Sequence, residues 1–394
     1  MDRHVYPNEK RYEEELDAGG RWQPPAVLEE LKKKARAEEL WNLFLPESKH
    51  GAGLTNLEYA PLCEIMGRVH WASEVFNCSA PDTGNMEVLD RYGTEAQKRE
   101  WLEPLLEGTI RSCFAMTEPR GGLLGRHQHR EPHRAPRRPL RHQRPQVVVV
   151  VRARPALQAL HLHGQDRPQE PGSTQAAVDD HCSARREGRE GRAHPCRCSA
   201  STMPRKAMAR CCSRTSRCRS PTCCWARAAA SRSRRAVSGP GRIHHTMRAI
   251  GQAEVALEKM CRRVQSRVAF GKPIAEQTVT LSASPEARIA IEQARLLVLK
   301  AADKMDKFGN KAALAEIAMI KVAAPAMLCR VLDWAIQAHG GAGVTDDFGL
   351  AAGLCIMPAP CASSTAPTRC IATRSADWSC ASTHETVRPH IHGR

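Results

Sequence analysis

The stretch "CFAMTEPRGGLLGRHQHREPHRAPRRP", Cys113 to Pro139, changes character at Pro119. Before that point the chain has mixed charges, spaced apolar residues and ordinary turns. After it come arginine, histidine and proline, with almost no acid or aliphatic spacing. The 394-residue chain has a formal net charge of +17, and segment 120–238 carries 25 Arg and one Lys against seven Asp and Glu, a net of +19 that leaves −2 elsewhere. Outside that segment the chain is therefore near-neutral, and its composition gives no reason to expect a nucleic-acid or membrane-surface partner.

Cysteine divides the same way: of 17, eight lie in 120–238 and four after residue 353. Cys63, Cys78, Cys113, Cys261 and Cys329 are expected to be reduced core thiols. The N-terminus "MDRHVYPNEKRYEEELD" is acidic and has no apolar h-region, which argues against a signal or transit peptide. No apolar run approaches the roughly 20 residues of a membrane span. These features predict a cytoplasmic protein.

Working outward from the break, Ala26–Leu40 and Asn56–Arg68 space apolar residues three and four apart, with Pro46, Gly51 and Gly53 as breakers between them. Beyond residue 239 the helical signal strengthens. Ile250, Ala253, Leu257, Met260 and Val264 form one stripe, Ile289–Met305 a second amphipathic segment, and Ala312–Ala338 a third, expected to kink or shift at Pro325. Long antiparallel helices of this kind pack as a bundle. Segment 120–238 fits neither period. "QVVVVV" could form a buried strand, but its neighbours hold no alternation, and the Arg/Pro/Ser/Cys composition buries too little apolar area to offset ordering entropy. Residues 353–394 have the same texture, so both segments are expected to be disordered as written.

Four further motifs carry a resemblance. "LPESKHGAGL" (Leu45–Leu54), "FAMTEP" (Phe114–Pro119), "RVAFGKPIAEQ" (Arg267–Gln277) and "QAHGGAGVTDDFGL" (Gln337–Leu350) stand in the order and spacing found in the acyl-CoA dehydrogenase family. "GPGRIHHTMRAIGQAE" (Gly239–Glu254) resembles its members 10 and 11. The resemblance covers 1–119 and 239–352. It implies an α+β protein by descent: an all-α N-terminal domain over 1–119 ending in the start of a flavin-binding strand, a β-barrel middle domain whose place is taken by 120–238, and a C-terminal four-helix bundle over 239–352. The family has another helix before the segment that "HVYPNEKRYEEEL" resembles, so Met1 is expected to be an internal start.

The departure inside 120–238 has a candidate cause in the reading frame. Written with GC-rich codons and read one base later, "RHQRPQVVVVV" (Arg141–Val151) gives "VINGRKWWSS", which resembles the family's barrel motif. The same offset turns "RGGLLGRHQHREPH" into "AAASSDATNIESRI" and "LHLHGQDRPQ" into "IFMGKTDP". A two-base offset turns "SASTMPRKAMARCCSRTS" into "GFDDAPQGHGEVLFENV" and "TCCWARAAASRSRRAVS" into "MLLGEGRGFEIAQGRLG". Five matches in family order support an out-of-frame origin for 120–238 and for the tail 353–394.

The resemblance implies FAD as cofactor and α,β-dehydrogenation of an acyl-CoA thioester to the 2-enoyl-CoA. It places Phe114, Met116 and Thr117 along the isoalloxazine and Arg267 on the FAD pyrophosphate of a neighbouring subunit. Phe270 and Gln277 would flank the adenosine, and Gln337, Gly340 and Gly341 would lie at the diphosphate and adenine end. Arg242 would lie near the CoA and the mouth of the site. The bland alternatives are a plain strand start, a solvated helix-end arginine and a glycine helix cap. Adjacent His244 and His245 face different sides of a helix and are expected at a surface or interface. His339 is expected to pack. The catalytic carboxylate is missing: two bases into "ASSTAPTRCIATRS" the chain would read "LVDGPDEVHRNAI", and the base's codon straddles Ser364 and Thr365. The literal polypeptide is therefore expected to be inactive. The implied partners are an electron-transfer flavoprotein and further copies of the chain as a homodimer or homotetramer, with no metal. "CRC" and the two "CC" pairs lack zinc-knuckle spacing. The competing readings are an Arg-rich nucleic-acid-binding protein and a catalytically dead scaffold.

Overall fold

The computed structural model describes residues 1–19, 23–45, 48–117, 140–142, 147–150, 157–165, 177–183, 194–195, 209–210, 216–218 and 230–356. For 113–117, the strands between 140 and 218, 230–239, 278–281 and 355–356, only the backbone is described. Two compact units result: Met1–Tyr59 with Val69–Gly241, and Ala60–Arg68 with Arg242–Arg394.

The first unit opens with α1 (Glu9–Ala18), α2 (Ala26–Ala37) and the N-terminal turn of α3 (Asn56–Gly67). It continues with α4 (Ala72–Val75), α5 (Asp82–Tyr92), α6 (Glu95–Gln97), a π-turn at Lys98–Leu102 and α7 (Glu103–Leu106). The α2 stripe Val27, Leu28, Leu31 and Ala35 is buried with Val5, Tyr12, Trp71 and Val75. Tyr12 stacks on Trp71 with ring centroids 4.2 Å apart. Lys32 is buried in the same region and is held by Glu29 at 2.7 Å and Glu74 at 3.3 Å.

Strand β1 (Arg111–Thr117) follows, then β2 (Leu140–His142), β3 (Val147–Val150), β4 (Leu157–Gln165), β5 (Ala177–Ser183), β6 (His194–Pro195), β7 (Ala209–Arg210) and β8 (Ser216–Cys218). One sheet runs β3-β1-β4-β5, with β1 antiparallel to β3 (Phe114 opposite Val150) and parallel to β4 (Arg111 opposite Leu157). The pairs β2-β8 and β6-β7 are separate. Short stretches of strand backbone are thus described within 120–238, Val147–Val150 of "QVVVVV" included. Ladder hydrogen bonds use main-chain groups that every non-proline residue carries, whatever its side chain. Among the described residues the sheets are open and form no closed barrel.

The second unit contains α8 (Ala230–Ser266, from Arg242 onward), the hairpin β9 (Val268–Ala269) and β10 (Lys272–Pro273), α9 (Thr278–Ala312), α10 (Leu314–His339) and α11 (Leu350–Ile356). Residues 60–68 of α3 join it. The stripe Ile250, Ala253, Leu257, Met260 and Val264 is buried throughout. On α9 the buried face is Ile291, Ala294, Val298, Ala301 and Met305, and on α10 it is Ile317, Ile320, Ala324, Leu328, Val331 and Ala335. The chain reverses at Gly309, whose φ of 77° is the left-handed region that glycine tolerates. Lys304 consequently reaches Glu316 at 2.8 Å, although a straight helix would separate residues twelve apart by ~18 Å. The bundle expected from 239–352 therefore has three long helices from that segment, short α11, and a helical stretch contributed by 60–68.

Helix α10 runs through Pro325, which is buried in the packed face. Two expectations need correction. Cys63 and Cys78 are buried and in no disulfide, but Cys329 is exposed and Cys261 half-buried; Cys329 lies on the polar side of α10 with Arg330 and Asp333. His244 is buried at 4 % exposure, not superficial. Ile243, Thr246, Met247 and Arg248 are buried around it, so this part of α8 is covered on more than one face.

Helices α3 and α8 approach closely because glycine stands on both sides. A Cβ on Gly67 would meet the Arg248 backbone, and one on Gly251 would collide with the Glu64 carbonyl oxygen. Across this contact Arg295 of α9 forms two hydrogen bonds to Glu64, at 2.9 and 2.8 Å, and also binds Glu254. Arg288 pairs with Glu254 through both guanidinium NH2 groups at 2.6 and 2.9 Å, and Arg68 clasps Glu258 at 2.9 and 2.8 Å. Replacing Gly251 by alanine is expected to destabilise the second unit by about 2–3 kcal/mol, seen as a lower urea midpoint. An unchanged midpoint would show that the helices have room to spare.

Candidate functional site

The hairpin after α8 turns on Phe270 (φ 53°) and Gly271 (φ 79°), both left-handed as a two-residue type I′ turn requires. Phe270 is thereby placed at the tip, 99 % exposed. The Gln277 amide donates to the Ala269 carbonyl at 3.4 Å, and the Ile274 N–H to the Arg267 carbonyl at 2.9 Å, which holds the hairpin against the start of α9.

The glycine turn Gly340–Val344 follows α10 directly. Gly340 has φ 63° and is the C-cap of α10, so the cap reading of this glycine holds. A Cβ there would lie 3.9 Å from an Arg267 guanidinium nitrogen. Arg267 and the glycine turn, far apart in sequence, are thus brought together. Gly341 is different: it is exposed, its backbone is unstrained, and a Cβ would meet nothing within 4 Å. The chain's own packing gives no reason for a glycine at this position. Gln337 is exposed on the last turn of α10, with its amide 3.5 Å from Asp333.

His339 packs, as expected: it is 1 % exposed, its Nδ1 lies 2.8 Å from the Ala335 carbonyl, and its ring sits 4.5 Å from that of Phe348. Arg242 is half-buried on α8 in the second unit. Phe114, Met116 and Thr117 belong to β1 of the first unit, where the backbone alone is described. Ser364 and Thr365 lie outside the described residues. Among the described residues no cluster of three or more His, Cys, Asp or Glu could hold a metal ion, and no helix is long and apolar enough to cross a membrane.

Reading the sequence missed one constellation, a buried polar network at the start of β1. The Asp82 carboxylate accepts from the Ser112 N–H at 2.7 Å and from its hydroxyl at 2.6 Å, and the Asn85 amide donates to the same hydroxyl at 2.8 Å. Arg111 donates to Asn77 at 3.0 Å and lies 3.7 Å from Asp82. The only signal was the run of short polar residues "DTGN" opening a helix of mixed character, "DTGNMEVLDRY".

Two models of the acyl-CoA dehydrogenase family match this chain, its N-terminal domain over residues 1–109 and its C-terminal domain over 235–357. A solved structure of a candidate acyl-CoA dehydrogenase from Mycobacterium abscessus superposes with a TM-score of 0.87 at 36 % identity, covering 97 % of this chain and 95 % of that one. The chain belongs to the acyl-CoA dehydrogenase family. Among named relatives it is 40 % identical to mouse acyl-CoA dehydrogenase family member 10, over 89 % of this chain and 33 % of that protein. It is 39 % identical to the probable acyl-CoA dehydrogenase FadE2 of Mycobacterium tuberculosis, over 89 % of this chain and 86 % of that one. The chain therefore spans about a third of the mouse relative's length. A glutaryl-CoA dehydrogenase from Mycobacterium smegmatis, solved with FADH2, shares the fold at a TM-score of 0.76 and 16 % identity, covering 95 % of this chain and 90 % of that one.

His244, which is buried, and its half-buried neighbour His245 give a pH signature. Burial, then the charges of Arg248 and Lys321, hold His245 down to about 3. Burial, then Arg248 and His245, push His244 well below its ordinary value. Both folded values lie below the unfolded value near ~6.5. As pH falls below it the unfolded chain takes up protons that the folded chain refuses, and stability is lost by up to ~1.4 kcal/mol per pH unit for each histidine. Urea midpoints compared at about pH 7.5 and about pH 5 should fall with acidification, and less so in His244→Gln/His245→Gln. A wild-type midpoint that does not move would contradict this.

Proposed function

We propose that this chain is the scaffold of an FAD-dependent acyl-CoA dehydrogenase, an oxidoreductase for α,β-dehydrogenation of an acyl-CoA thioester to the 2-enoyl-CoA. The observation that carries the reading is the Arg267 guanidinium beside the Gly340 turn, with Gly341 open next to it. A fixed fork of cationic donors next to a turn without side chains suits a diphosphate, which needs charge-assisted bonds and close backbone approach.

On this reading Arg267, Gln337, Gly340 and Gly341 hold the pyrophosphate end of FAD, and Phe270 and Gln277 hold the adenosine. Phe114, Met116 and Thr117 line the isoalloxazine, with Thr117 donating to the ring's polar edge. Arg242 stands at the CoA entrance. When bound, FAD supplies the acceptor for a hydride leaving the substrate's β-carbon. The remaining requirement is a base for the weakly acidic α-proton, placed against that carbon while hydrogen bonds polarise the thioester carbonyl. In the chain as written that position falls on Ser364 and Thr365, and a hydroxyl is many pKa units too weak a base near neutrality. The out-of-frame reading of 120–238 and 353–394 accounts for this loss, and the two family-model matches flank the first of these segments.

Oligomerisation belongs to the same proposal. Arg267 is assigned to a neighbouring subunit's pyrophosphate, and the exposure of Phe270 (99 %) and Val268 (65 %) leaves the hairpin available to a second copy. An electron-transfer flavoprotein is the proposed acceptor.

Reconstituted with FAD, the purified chain is expected to show flavin absorption bands. Arg267→Ala should weaken FAD binding roughly 10–100-fold by titration calorimetry, and acyl-CoA should give no dye reduction. A colourless protein would contradict the cofactor assignment, and measurable turnover would contradict the missing base.

A further inference from the structure

We infer that Asp82 is a positioning residue for the flavin-facing strand β1, an inference that rests on the flavin reading above. Asp82 is the first residue of α5, so its carboxylate is fixed to a helix, and both its bonds to Ser112 are short, at 2.7 and 2.6 Å. Asn85, one turn further along α5, holds the same serine hydroxyl at 2.8 Å. Arg111 is bound to Asn77 at 3.0 Å in the segment just before α5. The two strand residues that precede Cys113–Thr117 are therefore anchored from outside the sheet. Asp82, Asn85, Asn77, Arg111 and Ser112 are each at most 7 % exposed, so water competes little for these bonds. Charge-assisted hydrogen bonds to a carboxylate are about twice as strong as neutral ones.

The anchor acts on the strand in a specific way. Arg111 and Ser112 set where β1 starts and how it is rotated, and the next residues are those assigned to the isoalloxazine. A site held by loosened supports loses function when its groups move by ~1 Å. Asp82 touches neither cofactor nor substrate in this account, so its effect is read through the flavin.

The test compares wild type, Asp82→Ala, Asp82→Asn and Trp41→Phe as full-length chains reconstituted with FAD. Trp41→Phe is the control, because it removes a hydrogen bond from the indole to the Leu106 carbonyl, 2.7 Å long, in the same unit. Asp82→Ala is expected to raise the FAD dissociation constant about tenfold and to shift both the flavin absorption maximum and its reduction potential. Asp82→Asn, whose amide oxygen can still accept from Ser112, should recover most of each change. Trp41→Phe should lower the melting temperature and leave the flavin unmoved. Asp82→Ala with wild-type affinity, bands and potential would overturn the positioning role, as would Trp41→Phe producing the same flavin shifts. A wild-type chain that takes up no FAD would instead overturn the underlying flavin reading.

Discussion

The second unit depends on one contact, the approach of α3 to α8 at Gly67 and Gly251 with Arg295 spanning Glu64 and Glu254. Burial alone would raise the Glu254 carboxyl, but the hydrogen bonds from Arg288 and Arg295 outweigh it and hold it below the usual carboxylate range. The Glu64 hydrogen bond, more than any other contact, raises Arg295. A charge placed this deeply is tolerated when its bonds are complete, and removing one partner leaves the other uncompensated. Two absent side chains thus permit the approach, and one guanidinium fixes it.

That contact matters for function because α8 and α10 end in the two parts of the candidate site. The Arg267 hairpin leaves the C-terminus of α8, and the glycine turn leaves the C-terminus of α10. Packing along buried stripes sets where the two helices end, and the Arg267–Gly340 proximity follows. The Asp82–Ser112 join in the first unit is a comparable case: a short polar link fixes a strand whose own sequence does not determine its rotation.

How much of this was legible depended on periodicity. The α8 stripe from Ile250 to Val264 could be read from spacing, because one face of a helix repeats every three to four residues. His244 was misread because that rule assumes a single buried face, whereas this part of α8 is covered more widely. Pro325 does not end the helix, because α10 continues through it and buries it in the packed face. The motifs around Arg267 and Gly340 were visible separately, but no spacing rule joins residues so far apart in sequence. Asp82 was invisible because a polar residue opening a helix usually reads as solvated. The short strands described within 120–238 pair through main-chain groups, which side-chain composition does not report.

The account joins a dehydrogenase scaffold to two segments read in another frame. Sequencing the encoding DNA and translating all three frames tests it directly. The account predicts that the true codons for 141–151, read one base later, spell "VINGRKWWSS", and that those for 362–375, read two bases in, restore a carboxylate where Ser364 and Thr365 now stand. Unrelated strings in both shifted frames would contradict it.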